Sequence, residues 1–234
     1  MKDYNAYSDF ISSEGAPVFY ARVDHVSVPL DKEGTGQVVV DFTPEPLTQD
    51  VSFAFHIEKT AGVVVDSLTA EISGVPSTME LTTGLILAQK TYKLLFRPAY
   101  AALPSAADST STEALRCEAA VNIPGIVRSH TEDMVTGPGI LQIAIYTHYD
   151  YEEEGTQRKA AKVFHAGINL YHTLKECKSL QWDEEAGGYR QASRSITVEI
   201  GTPLEIDKDG ILNSGSTSTG LDQWIPGETF EIEV

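Results

Sequence analysis

The sequence predicts an all-β protein built as two successive β-sandwiches, and three observations carry that reading. Apolar residues recur at every second position in one short run after another, the period of a strand with one dry and one wet face. No amphipathic stretch of helical length interrupts them, so a helical layer is excluded by pattern. The run PGIVRSHTEDMVTGP over 124–138 is bracketed by Pro-Gly and Gly-Pro, which end strands on both sides and divide the alternating segments into two batches.

The first batch occupies 16–126, preceded by a polar tail over 1–15 that shows no period. An extended run is expected over 18–30, ended by Pro29, and another over 37–42 with Val38, Val40 and Phe42 on one face. Residues 50–59 carry the clearest alternation, with Val51, Phe53, Phe55 and Ile57 inward and Ser52, His56 and Glu58 outward. In 67–84, Leu68, Ala70 and Ile72 alternate with Thr69 and Glu71 before Ser73-Gly74 and Pro76, where regular pairing should stop and the chain turn. Met79 and Leu81 resume the pattern until Thr82-Thr83-Gly84. Two further strands are expected over 90–97 and 114–123, separated by a Pro-, Ala-, Ser- and Thr-rich loop at 97–113. That makes about seven strands, the number one two-sheet sandwich needs.

After a linker over 127–138, the second batch fills 139–234. Leu141, Ile143, Ile145 and Tyr149 define one strand, Phe164, Ala166, Ile168 and Leu170 a second, and Ile196, Val198 and Ile200 a third. Phe230, Ile232 and Val234 form a last strand, which is either paired within a sheet or an edge that a neighbour can extend. Residues 171–180 are expected to make one or two helical turns.

Composition narrows the function classes. A net charge of −17 opposes nucleic-acid and anionic-membrane partners by Coulomb repulsion. No run approaches the roughly 20 apolar residues of a spanning helix. Met1–Asn5 lacks an apolar leader, which fits either a cytoplasmic protein or a mature chain whose export signal has been removed. Two cysteines make no disulfide framework, and Cys117 falls on the apolar face of its strand as a small core residue.

The search for a reaction centre turns up no nucleophile elbow, since SGSTSTG over 214–220 is followed by no helix. HYDYEEEG over 148–155 reads as a solvated acidic hairpin and Asp207-Lys208-Asp209-Gly210 as a β-turn, so no metal or cofactor is expected. Aromatic residues supply the one binding option. Tyr146, Tyr149, Tyr151 and Tyr171 cluster with Trp182 and Tyr189 in the second half, and Trp182, Tyr189 and Trp224 are candidate platforms for sugar rings.

The run AEISGVPSTMELTTG over 70–84 resembles the connection in the N-terminal domain of fimbrillin-like surface proteins of the Bacteroidales. INLYHTLKECKSLQW, SRSITVEIGTPLEI and GLDQWIPGETFEIEV are similar to the C-terminal domain of that group, with Asp222 and Trp224 at its acidic-Trp turn. The resemblance implies two tandem Greek-key, transthyretin-like sandwiches, exported to the outer membrane surface, where a fimbria-associated subunit acts in assembly, anchoring or adhesion without catalysis. Its partners would be other fimbrial or surface proteins and surface ligands. Membrane attachment would come only from an N-terminal lipid anchor, for which no lipobox cysteine stands at the start of this chain.

Overall fold

A computed structural model describes residues 10–12, 18–23, 25–27, 38–103, 112–212 and 223–232. In chain order the elements are β1 (Phe10–Ser12), β2 (Phe19–Tyr20), β3 (Glu45–Pro46), β4 (Gln49–Thr60), β5 (Val64–Glu80), β6 (Leu85–Phe96), β7 (Ala99–Ala102) and β8 (Thr112–Ile123). They continue with β9 (Ile140–Glu153), β10 (Thr156–Asn169), α1 (Tyr171–Glu176), β11 (Leu180–Asp183), β12 (Gly188–Gln191), β13 (Ser195–Glu199), β14 (Leu204–Ile206) and β15 (Trp224–Ile232). The all-β expectation and the short helical segment after residue 170 both hold.

The alternation in β4 sends Val51, Phe53, Phe55 and Ile57 into the core at 0–1% exposure. The same period buries Leu68, Ala70 and Ile72 on β5, Leu141, Ile143 and Ile145 on β9, and Phe164, Ala166 and Ile168 on β10. Five strands form the smaller sheet, in the order β13-β4-β8-β7 with β14 also on β4. The larger sheet has eight, in the order β11-β12-β6-β5-β9-β10-β15 with β1 parallel to β6. Their inner faces meet: Phe53 stacks on Phe96 with ring centroids 5.0 Å apart, and Phe55 meets Trp224 edge-on at 5.9 Å. One continuous core results, containing Val51 and Ile123 from the first half together with Ile143, Ile196 and Trp224 from the second.

The division into two successive sandwiches is therefore corrected. β5 of the first half pairs antiparallel with β9 of the second, Leu68 opposite Ile145 and Ile72 opposite Leu141. β4 pairs parallel with β13, Val51 opposite Ile196. Neither half could close its sheets alone, because each lends strands to both. The expected linker is likewise built into the fold. Ile126 and Val127 are buried in it, the Val127 N–H donates to the Gly74 carbonyl at 2.9 Å, and the Gly139 N–H donates to the Ser73 carbonyl at 3.0 Å. Buried Asn169 fastens the same segment, its amide nitrogen donating to the carbonyls of Thr131, Glu132 and Met134 at 2.9–3.0 Å. The Ser129 hydroxyl completes the set by donating to Asn169 Oδ1 at 2.8 Å.

Three smaller expectations also change. β5 does not turn at Ser73-Gly74 or Pro76; it runs 17 residues and takes up both places as register shifts, while the reversal comes after Glu80. Gly74 adopts φ +91°, and its bulge is where the 124–139 segment docks. The alternating residues 38–42 form no strand, and Val39 and Phe42 stay exposed, because alternation supplies an apolar face but no partner to cover it. Within the first 15 residues, Phe10–Ser12 pairs with β6, and the other expected tail residues lie outside those described. Between residues 18 and 30 the strand is confined to Phe19–Tyr20 among the described residues.

Candidate interaction surfaces

β15 is laid down by the same alternation that built the core, but at a margin. Trp224 turns inward, is 2% exposed, and donates from Nε1 to the Thr202 carbonyl at 2.9 Å. From there the strand follows β10, Val163 opposite Phe230 and Ala161 opposite Ile232, with a register shift between Phe164 and Ala166. β15 stands at the end of the large sheet, and among the described residues β10 is its only strand partner. Phe230 is 50% and Ile225 43% exposed, and Phe230 meets the His165 ring edge-on at 5.6 Å. Of the three expected edge residues, Phe230 and Ile232 lie on this strand, and Val234 falls outside the described residues.

The bulge opens a shallow pocket of about 210 Å³ beside the strand, lined by Val135, His165, Ile225 and Gly227 among others. Gly227 is tightly packed there, because an added Cβ would come within 3.0 Å of His165 Cβ and 3.1 Å of its carbonyl oxygen.

The sugar-platform candidates separate. Trp182 and Tyr189 are cross-strand partners on β11 and β12, with ring centroids 5.0 Å apart in an edge-on pair, and Trp182 is 55% exposed. Trp224 is a correction: a buried indole against Phe55 cannot stack on a ligand. The other tyrosines do not converge on that pair. Tyr149 and Tyr151 adjoin each other on β9 at 6.2 Å, and Tyr171 lies beside His172 and under the Arg128 guanidinium.

The acidic hairpin at 148–155 forms as expected and is closed by Glu154 and Gly155, both at positive φ. His148 Nδ1 lies 2.7 Å from Asp66 at its base. The turn at Asp207 is held by its own carboxylate, which accepts from the N–H groups of Asp209 and Gly210 at 2.7 and 2.8 Å. Gly210 therefore needs no positive φ, and none is seen. Among the described residues no group of three or more His, Cys, Asp or Glu side chains is arranged to hold a metal ion. Residues 214–220 lie outside those described.

One feature carried no signal in the sequence because its parts are far apart in the chain. At the margin of the large sheet opposite β15, two adjoining clefts of about 330 and 420 Å³ share Tyr20, Glu45, Thr83 and Arg190. Arg194 lines the first and Arg22 the second. The floor is held by Gln191, whose amide donates to the carbonyls of Leu47 and Pro124 at 2.6 and 2.9 Å. Arg190 is set by Asp183 at 2.7 Å and by the Thr83 carbonyl at 2.9 Å. Comparison with protein-family models, with curated proteins and with solved structures finds no match to this chain.

Proposed function

We propose that this chain is a non-enzymatic protein of the cell surface, a fimbria-associated structural or adhesion subunit that meets its partner along β15. The observation that carries the reading is the sheet margin: a nine-residue strand that, among the described residues, is bonded on one side, with Phe230 and Ile225 exposed along it. Unpaired N–H and C=O groups in a row are a template for another extended chain, with alternate side chains supplying selectivity. The likeness of the 70–84 and C-terminal segments to fimbrillin-like proteins supports the choice of partner class, and it also suggests export. Deleting residues 229–234 should abolish self-association or partner capture, measured by sedimentation of the purified chain and by binding of surface-protein fractions. Unchanged assembly by the shortened chain removes strand pairing as the mechanism.

A second reading, surface glycan binding, rests on Trp182, which stands 55% exposed beside Tyr189. A glycan array on which the Trp182→Ala and Tyr189→Ala variants give the same signal as the unaltered chain sets it aside.

A further inference from the structure

β15 gives its margin of the large sheet a chemical character of its own. The strand carries two carboxylates, Glu228 and Glu231, and no Lys, Arg or His. Glu231 lies 3.4 Å from Lys162 and keeps its side chain 81% exposed, and Glu228 is exposed with no ion pair among the described residues. Past Ala161, the partner of Ile232, the β9–β10 hairpin extends the same margin with Asp150, Glu152, Glu153 and Glu154 against Arg158 and Lys159. Phe230 meets the His165 ring while its neighbour Glu231 turns to Lys162, so here one face of the strand is apolar and the other acidic.

The hollow of about 210 Å³ belongs to the apolar face, since His165 and Gly167, two residues apart on β10, both line it. The cross-strand row reads Gln142, Gly167, Ile225, and the missing side chain at its centre leaves the space. A Cβ on Gly167 would meet nothing nearer than Gln142 Cγ at 3.8 Å. Val135 and Ile225, both exposed, stand beside it. On β15 the lining includes Gly227, which sets no side chain between the hollow and the margin. Pairing with β10 is regular over Thr229–Ile232 and breaks at the register shift beside Pro226, which has no N–H. A chain paired with the regular part is therefore released from the ladder next to the hollow.

We propose that this margin binds an extended cationic segment of another protein, which seats one large apolar side chain in the hollow; the inference rests on strand pairing along β15. Charge decides between occupants. Two copies of β15 would set Glu228 and Glu231 against like groups on a chain of net charge −17, whereas Lys or Arg side chains are attracted to both. A Leu-sized group in the hollow removes apolar surface of both partners from water.

The test is a fluorescence-anisotropy titration of a labelled peptide, KTKTKLKTK, with the full chain at about 0.15 M salt, where screening limits unspecific attraction. Saturable binding in about the 10–100 micromolar range is expected. Exchanging the peptide's Leu for Gly, and Gly167→Val in the protein, should each weaken it at least about fivefold, and DTDTDLDTD should not saturate. The peptide exchange needs no altered protein, and an unchanged melting temperature shows that Gly167→Val is folded. No saturation by KTKTKLKTK, a smaller loss from either exchange, or equal binding of the acidic peptide overturns the proposal. So does self-association of the unaltered chain that Gly167→Val removes, which would assign the hollow to a second copy. Strand pairing is judged separately. If the chain lacking residues 229–234 loses its partners while the intact chain ignores KTKTKLKTK, strand pairing stands and the cationic occupant alone is removed. Unchanged peptide binding by the shortened chain removes both.

Discussion

The backbones of Gly74 and Val127 are joined so closely that no side chain fits between them: the Val127 N–H donates to the Gly74 carbonyl at 2.9 Å, and a Cβ on Gly74 would lie 2.5 Å from the Val127 carbonyl oxygen. The same Cβ would meet the Gly139 nitrogen at 2.8 Å. Gly74 thus connects the bulge of β5 to both ends of the segment that leads from β8 to β9.

Replacing it tests whether that segment is part of the fold. Gly74→Ala meets two obstacles, a φ of +91° that L residues rarely adopt and contact with fixed backbone. Positive φ at a non-glycine residue costs on the order of 1–3 kcal/mol, and overpacking adds roughly 1–3 kcal/mol. Urea denaturation should show a midpoint lowered by the equivalent of about 2–6 kcal/mol. Gly62→Ala is the comparison: it shares φ +91° but has open space around it, so its loss should be confined to the conformational part.

Strand identity was legible in the sequence and strand partnership was not. The alternation in 50–59, 67–72, 141–145 and 164–168 specified which residues face the core, and each of those positions is buried. Nothing in a local period says that Val51 will lie beside Ile196 or Leu68 beside Ile145, because register across more than 70 residues is a property of the whole core. The Pro-Gly and Gly-Pro brackets at 124–138 marked the ends of strands correctly. They gave no sign that Asn169, on a different strand, would bind the carbonyls between them. The cleft is hidden in the sequence for the same reason, since Arg22, Arg190 and Arg194 share no motif.

The two tryptophans, equivalent as sequence candidates, should respond oppositely to truncation. Trp224 is 2% exposed, packs on Phe55 and has its indole N–H bonded to Thr202. Trp224→Ala therefore leaves a core cavity and an orphaned carbonyl, with an expected loss of about 3–5 kcal/mol. Trp182→Ala removes one edge-on contact with Tyr189 at the surface and should cost about 0.5–1.5 kcal/mol. Melting temperatures of the two variants, measured side by side, check the ordering. A larger loss from Trp182 would contradict the assignment of Trp224 to the core.

Cys117 provides a pH signature of the same core. It lies on β8 opposite Phe55, is 0% exposed, and burial pushes its thiol from 9.0 up to about 12. The folded chain holds this proton where the unfolded chain has released it. Stability from the thiol is thus complete below pH 9.0 and declines as pH rises from there toward about 12. The slope approaches about 1.4 kcal/mol per pH unit once the unfolded thiol is ionised. Tyrosines and lysines also titrate in this window, so the reading is the difference between the stability profiles of the unaltered chain and Cys117→Ala from pH 8 to about 10.5, taken by urea denaturation at each pH. The gap between the profiles should shift against the unaltered chain as pH rises. Thiol-reactive dye should label Cys117 in urea and leave it unlabelled in the folded protein, because a buried neutral thiol is not a nucleophile. Parallel profiles together with rapid labelling of folded Cys117 would mean that β8 does not face the core at this position.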